Sequence, residues 1–165
     1  MATRSLAVAT LLAVMEANAW ALGGQNMVLG RMVAARSDAP SIAATTHPRA
    51  HYVLHCAGCH GFDGAGTQAG NVPDMRRLGQ FLRVPGGREF IVSVPGVSGS
   101  GLTDQQVADV TNWMLTGMAR DFVPDGSAPY TAAEVAQARA VPMLDVVQAR
   151  QQLVRRAKAL GVALE

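Results

Sequence analysis

The sequence is short of the side chains that form nucleic-acid-binding surfaces and membrane spans. It has one lysine beside 13 arginines, and its net charge is only +2. The basic residues are scattered along the chain, so no basic stripe predicts binding to a phosphate backbone. Its main apolar run, Leu6–Met15, covers ten residues, whereas a helix that crosses a bilayer needs about 20. We therefore expect no nucleic-acid partner and no membrane span in the mature chain.

The first 21 residues have the pattern of a secretory signal peptide. Arg4 provides a positive start, the apolar run follows, and the small residues Ala17, Ala19 and Ala21 offer cleavage sites. A retained membrane anchor is the alternative, although Glu16 would sit badly in lipid. A signal of this kind predicts a periplasmic protein whose cysteines reach an oxidising compartment.

The remaining chain divides into three stretches by composition. Residues 22–49 are rich in small residues and predict an arm or linker with one short helix near 27–35. Residues 50–118 predict one compact all-helical domain, and residues 119–165 a helical C-terminal extension. One globular domain with additions fits a chain of 165 residues that is 49% hydrophobic.

Local signals predict the elements of the two helical stretches. Thr103 to Gln106 and Thr131 to Glu134 each form a capping-box pattern at a helix start, and Gly161 is a helix stop. For the extension we expect a helical hairpin packed on the domain, with a docking arm for a partner protein as the alternative. The predicted elements are a helix over 50–60, a glycine-rich loop to Pro73, short helices over 74–82 and 88–94, a loop over 95–101, a helix from 103 to about 117, and a helix over 144–160.

The stretch HYVLHCAGCHG, residues 51–61, holds both cysteines and three of the four histidines. A thioredoxin-like dithiol is disfavoured because nothing before His51 has the pattern of a strand. A structural zinc site is disfavoured because no distant second ligand pair exists to complete a tetrahedron. The spacing C-x-x-C-H is that of c-type haem attachment, which predicts one haem c per chain, bound covalently by Cys56 and Cys59, with His60 as an axial iron ligand.

Residues 50–118 resemble the class I cytochromes c of bacteria. The resemblance rests on YVLHCAGCHGFDGAG, VPDM, PGGREFIVSVPG and LTDQQVADVTNWML, which follow the family's order of parts. It implies the class I cytochrome c fold, in which the carbonyl of Pro73 accepts a hydrogen bond from the iron-bound His60. It also implies that Tyr52 and Trp113 pack between the first and last helices.

The sequence departs from this family at the sixth iron ligand. The family places a methionine in the loop before the last helix, but residues 93–102, SVPGVSGSGL, contain no methionine, histidine or lysine. Met75 is a weak candidate, because it stands where the family commonly has a leucine packed against the haem. We expect His47 and His51 to be surface residues and His55 to point away from the iron.

Two functions remain after these observations. If another side chain fills the sixth position, the protein is a periplasmic electron carrier and not an enzyme, serving a periplasmic dehydrogenase or another redox protein. If the position is open, the protein binds small ligands or acts on peroxide as a peroxidase-like enzyme. The 94–102 stretch offers no distal His–Arg pair to polarise peroxide, which favours the carrier.

Overall fold

The computed structural model describes residues 47–164. The predicted signal peptide, residues 1–21, lies outside the described residues. So does nearly all of the predicted arm, including its expected helix near 27–35. The two remaining stretches, 50–118 and 119–165, are described together except for the final residue.

Residues 47–164 are helical, which confirms the all-α class, and their only strand-like pairing is an isolated bridge between Thr67 and Val72. None of these helices is long and apolar enough to cross a membrane. The α-helices are α1 (Pro48–His55), α2 (Ala57–His60), α3 (Gly87–Ser93), α4 (Pro95–Ser98), α5 (Asp104–Thr116), α6 (Ala132–Arg139) and α7 (Val146–Ala159), and two 3₁₀ helices span Met75–Arg83 and Arg120–Phe122.

The first and last helices of the predicted domain, α1 and α5, pack directly against each other. Tyr52 on α1 is 1% exposed, and its ring centroid lies 5.5 Å from that of Trp113 on α5. The packing contact expected from the resemblance is therefore confirmed. The N-terminus of α5 is fixed by a complete capping box. The side chain of Thr103 accepts a hydrogen bond from the backbone amide of Gln106, and the side chain of Gln106 accepts one from the backbone amide of Thr103.

Three sequence predictions about local structure need correction. The helix expected over 50–60 is broken at Cys56, which separates α1 from α2. The loop expected over 95–101 contains the short helix α4, because Pro95 at its first position suits a helix start. The extension is not a hairpin: α6 packs on α5 and α3, and α7 packs on α3. Each helix of the extension is held by the domain and not by its neighbour.

Polar contacts attach the extension to the domain. The side-chain amide of Asn112 bonds both backbone groups of Tyr130, at 2.9 Å and 2.7 Å. Arg88 makes a bidentate ion pair with Glu134, at 2.7 Å and 2.9 Å, which lowers the pKa of that carboxyl. Glu134 therefore serves the ion pair, and only the Thr131 half of the predicted second capping box is formed.

His51 is a core residue, contrary to the expectation of a surface position. It is 2% exposed, and neither of its ring nitrogens hydrogen-bonds to another protein group. The sequence suggested a surface site because histidine is polar, but the position next to Tyr52 on α1 is buried in the fold. A buried polar ring without partners loses its hydration and gains nothing in return.

Replacing His51 with an apolar residue is therefore expected to stabilise the fold. His51→Leu should raise the free energy of unfolding by about 1 kcal/mol, because it removes two buried nitrogens that lack partners. Denaturant unfolding of the haem-loaded protein measures this change. The matched control is His55→Leu, because His55 lies on the same helix and is exposed. Equal effects of the two changes, or a loss of stability in His51→Leu alone, would contradict the prediction.

Candidate haem attachment site

The two cysteines and the histidine of the motif lie on one helical turn. The backbone amide of Cys56 closes α1 by donating to the carbonyl of Tyr52, and the amide of His60 donates to the carbonyl of Cys56 at 3.0 Å. Residues spaced by three and four positions share a helix face. The break at Cys56 therefore presents Cys56, Cys59 and His60 together at the start of a new turn.

Both thiols are free, and they differ in exposure. Cys59 is exposed, whereas Cys56 is half-buried, and burial raises the pKa of its thiol. Since the structure places these sulfurs on one short turn without a disulfide, both are available for thioether bonds.

The ring of His60 is oriented by a backbone carbonyl. Its Nδ1 lies 3.0 Å from the carbonyl oxygen of Pro73. Since a carbonyl only accepts, Nδ1 carries the proton and donates. In the neutral tautomer with the proton on Nδ1, the other nitrogen, Nε2, carries the lone pair that can bind a metal.

A tight loop brings Pro73 to this position. The amide of Gly66 donates to the carbonyl of His60 at 2.9 Å, and Thr67 and Val72 exchange two backbone bonds. Gly66 has φ +68°, and a Cβ at this position would lie 2.3 Å from the carbonyl oxygen of Val72 and 2.5 Å from that of Pro73. Only glycine permits this approach, so Gly66 is the residue on which the Pro73 contact depends.

Tyr52 fixes the other end of the loop. Its hydroxyl donates to the carbonyl oxygen of Gly61 at 2.7 Å, directly after His60. The pKa of this hydroxyl is raised, chiefly by burial and further by Cys56 and Asp63. Tyr52 thus has a polar role as well as the packing role expected from the sequence. The sequence contains no signal for this bond, because it joins a side chain to a backbone atom nine residues away.

Met75 lies on the loop side of the site. Its amide donates to the carbonyl of Gly64 at 2.7 Å, and its Cβ and the sulfur of Met118 both border Gly64. Met114 is buried in α5, and Met143 is partly exposed in the extension. The structure therefore gives Met75 and Met118 packing contacts in the loop that follows His60.

The segment before α5 is held by Arg139 of the extension. The guanidinium donates to the carbonyls of Ser98 and Leu102, at 3.1 Å and 3.2 Å, and pairs with Asp104 at 2.7 Å. The hydroxyls of Ser98 and Ser100 donate to backbone carbonyls within the segment. Sequence reasoning missed Arg139, because its partners are backbone atoms far away in the chain.

Two of the arginines near the site already have carboxylate partners. Arg76 forms an ion pair with Asp74 at 2.7 Å, which lowers the pKa of the Asp74 carboxyl. Arg88 pairs with Glu134 of the extension. Both guanidinium groups are thus used within the protein.

The donor set fits a haem and does not fit a zinc ion. Within residues 47–164, no three His, Cys, Asp or Glu side chains converge as a metal cluster. One histidine with a fixed tautomer and two free thiols on the same turn instead suit a haem, because the porphyrin itself supplies four nitrogen ligands to the iron. Apolar residues beside the core include Cys56, Met75, Leu78, Leu82, Val97, Trp113 and Met118.

Two curated relatives carry the same kind of name. A cytochrome c-552 of Thermus thermophilus is 27% identical over 154 residues, and the match covers 82% of this chain and 94% of the relative. Another cytochrome c-552 of Thermus thermophilus is 28% identical over 125 residues, and the match covers 65% of this chain and 92% of the relative. No protein-family model matches the chain. Together with the C-x-x-C-H turn and the all-helical fold, these similarities support a c-type cytochrome.

Proposed function

We propose that this protein is a periplasmic electron carrier with one haem c, bound through thioether bonds to Cys56 and Cys59. In this proposal His60 is the axial iron ligand and Pro73 is the acceptor for its Nδ1 proton. The observation that carries the proposal is the 3.0 Å contact between Nδ1 of His60 and the carbonyl oxygen of Pro73. Metal-ligating histidines almost always donate their other ring N–H to such an acceptor, which fixes the tautomer and the ring orientation.

The protein residues hold and tune the cofactor in this proposal. Haem supplies one-electron chemistry at its iron when bound. Pro73 keeps the proton on Nδ1 and raises the basicity of Nε2. Tyr52 and Gly66 hold the two ends of the loop that presents Pro73. Met75 remains a weak candidate for the sixth ligand, since its contacts with Gly64 support a packing role.

Export supports the location and the choice of partner. The predicted signal over residues 1–21 delivers the chain to the periplasm, where a periplasmic dehydrogenase or another redox protein is the proposed partner. The names of the two relatives agree with a haem-based electron carrier. A carrier must leave its partner quickly, which suits a small interface.

An open-site haem protein is the second candidate. The observation that favours it is the segment 94–102, which has no methionine, histidine or lysine and whose serine hydroxyls donate to the backbone carbonyls of Ser93 and Val97. Such a protein would bind carbon monoxide or nitric oxide, or consume peroxide. The same segment also lacks an acid–base pair to polarise peroxide, so the carrier is the first candidate.

The attachment prediction concerns the two cysteines. Acid–organic extraction of the purified protein should leave the pigment on the polypeptide, because two thioether bonds hold it. The double change Cys56→Ala, Cys59→Ala should abolish pigmented protein, while each single change leaves one possible bond. Haem that washes out of an intact wild-type chain would contradict covalent attachment.

The carrier prediction concerns reactivity at the iron. The protein should be reduced and reoxidised reversibly by small redox mediators, with no turnover of peroxide, because segment 94–102 offers no acid–base pair to polarise peroxide. Optical spectra of both redox states, with and without carbon monoxide, measure this. Rapid carbon monoxide binding together with cyanide-sensitive peroxide consumption would overturn the carrier in favour of the open-site protein.

The loop prediction concerns Gly66. Gly66→Ala should displace the carbonyl of Pro73, weaken its bond to His60 and raise the midpoint potential, since a less basic histidine stabilises ferric iron less. The positive φ should also cost about 1 to 2 kcal/mol of stability. Redox titration and denaturant unfolding of the haem-loaded protein measure the two effects.

Gly70→Ala is the matched control for Gly66→Ala. Gly70 lies in the same loop, but a Cβ there would meet only side-chain atoms, Oγ1 of Thr67 at 3.0 Å and Cγ2 of Val72 at 3.3 Å. Its midpoint potential should stay close to that of the wild type. If both variants keep the wild-type potential, the Pro73 carbonyl does not tune the iron ligand.

A further inference from the structure

In the described part of the chain, positive charge is concentrated on helix α7. Residues 146–164 contain four basic side chains and no carboxylate, whereas residues 47–145 contain seven arginines and nine carboxylates. The adjacent acid, Asp145, caps the helix by accepting from the amide of Gln148. No described carboxylate forms an ion pair with the four basic residues, which are Arg150, Arg155, Arg156 and Lys158.

The inner side of α7 packs on the domain. Leu153 and Ala157 are buried, and the guanidinium of Arg150 lies 5.7 Å from the ring centroid of Phe81. Arg156 donates to the carbonyl of Pro85 at 3.0 Å. These contacts fix which side of the helix faces outward.

The outer face of α7 combines cations with aliphatic side chains. At 100° per residue, Val147, Gln151, Val154 and Lys158 form one stripe on the flank of the helix, and Arg155 lies beside it, opposite the buried side. All five side chains are exposed. We call these five residues the outer face. Its two cations therefore project from the side of the helix that points away from the domain.

Exposed aliphatic residues accompany these cations. Leu144 just before the helix is 95% exposed, and Val147 and Val154 on the outer face are 63% and 37% exposed. A single exposed leucine is ordinary on a protein surface. Several along one helix with uncompensated cations are the combination found on helices that lie on a membrane surface.

We propose that the outer face of α7, with Leu144, docks this protein reversibly on a bilayer rich in anionic phospholipid. The cations meet the phosphate headgroups, and the aliphatic side chains enter the boundary between headgroups and acyl chains. An acidic protein partner fits less well, because residues 141–164 contain no aromatic side chain. Tryptophan and tyrosine are prominent among the side chains that carry the binding energy at protein interfaces.

This docking is independent of the redox state of the protein and goes beyond the proposed carrier function. Each basic residue near an anionic surface strengthens binding about fivefold at moderate salt. Two cations and a few aliphatic side chains give weak, salt-sensitive binding. Such binding keeps a carrier near a membrane without fixing it there.

Sedimentation with vesicles tests the proposal on the exported, haem-loaded protein. One set of vesicles contains equal parts of phosphatidylcholine and phosphatidylglycerol, and the other contains phosphatidylcholine alone. We expect binding to the anionic vesicles at least about tenfold tighter, and loss of the difference at roughly 1 M salt, where screening is strong. Arg155→Gln with Lys158→Gln should weaken anionic binding about 25-fold, while Leu144→Ser with Val147→Ser should weaken binding that persists at high salt.

The matched control removes two cations elsewhere. Arg49→Gln with Arg120→Gln makes the same change in net charge at exposed sites outside α7, and it should alter binding less than about threefold. Equal losses in the control and in the α7 variant would overturn the proposal, because net charge alone would explain them. Binding of the wild type to poly-glutamate but not to anionic vesicles would also overturn it, in favour of an acidic protein partner.

Discussion

The hydrogen bond from Nδ1 of His60 to the carbonyl of Pro73 is the contact on which the functional part of the structure depends. It places a proton on one nitrogen and leaves the other free for a metal. Much of the surrounding loop serves that single contact. Gly66 allows the carbonyls of Val72 and Pro73 to approach it closely, and Tyr52 holds the chain just after His60. The two free thiols on the same turn complete the set of groups that a haem requires.

The extension is part of the same compact unit as the helices around the motif. The guanidinium of Arg88 forms an ion pair with Glu134, and the backbone carbonyl of Arg88 accepts a hydrogen bond from the hydroxyl of Tyr130. Arg139 binds the segment that would carry the sixth ligand in the resembled family. The stability of the extension and the conformation of that segment are therefore linked, although the two are far apart in the sequence.

Sequence reasoning predicted what depends on local patterns. The capping box at Thr103 and the glycine stop at Gly161 were predicted in this way, and the structure shows both. The long-range contact of Tyr52 with Trp113 was expected from the family resemblance, and the structure shows it as well. Sequence reasoning failed where a tertiary contact overrides a local preference. His51 is polar yet buried, and the side chain of Glu134 pairs with Arg88 instead of capping its helix. The bonds of Arg139 to backbone carbonyls could not be predicted, because backbone acceptors leave no trace in the sequence.

The loop from Gly61 to Pro73 has a consequence for the order in which the chain folds. Its bonds join residues close in the chain: the contact of His60 with Pro73 spans 13 positions, and the Thr67–Val72 pair lies within it. The pairing of Tyr52 with Trp113 instead requires a long segment to close, which costs more entropy and is slower. The cysteine and histidine groups can thus be arranged early, before helices α1 and α5 pack together.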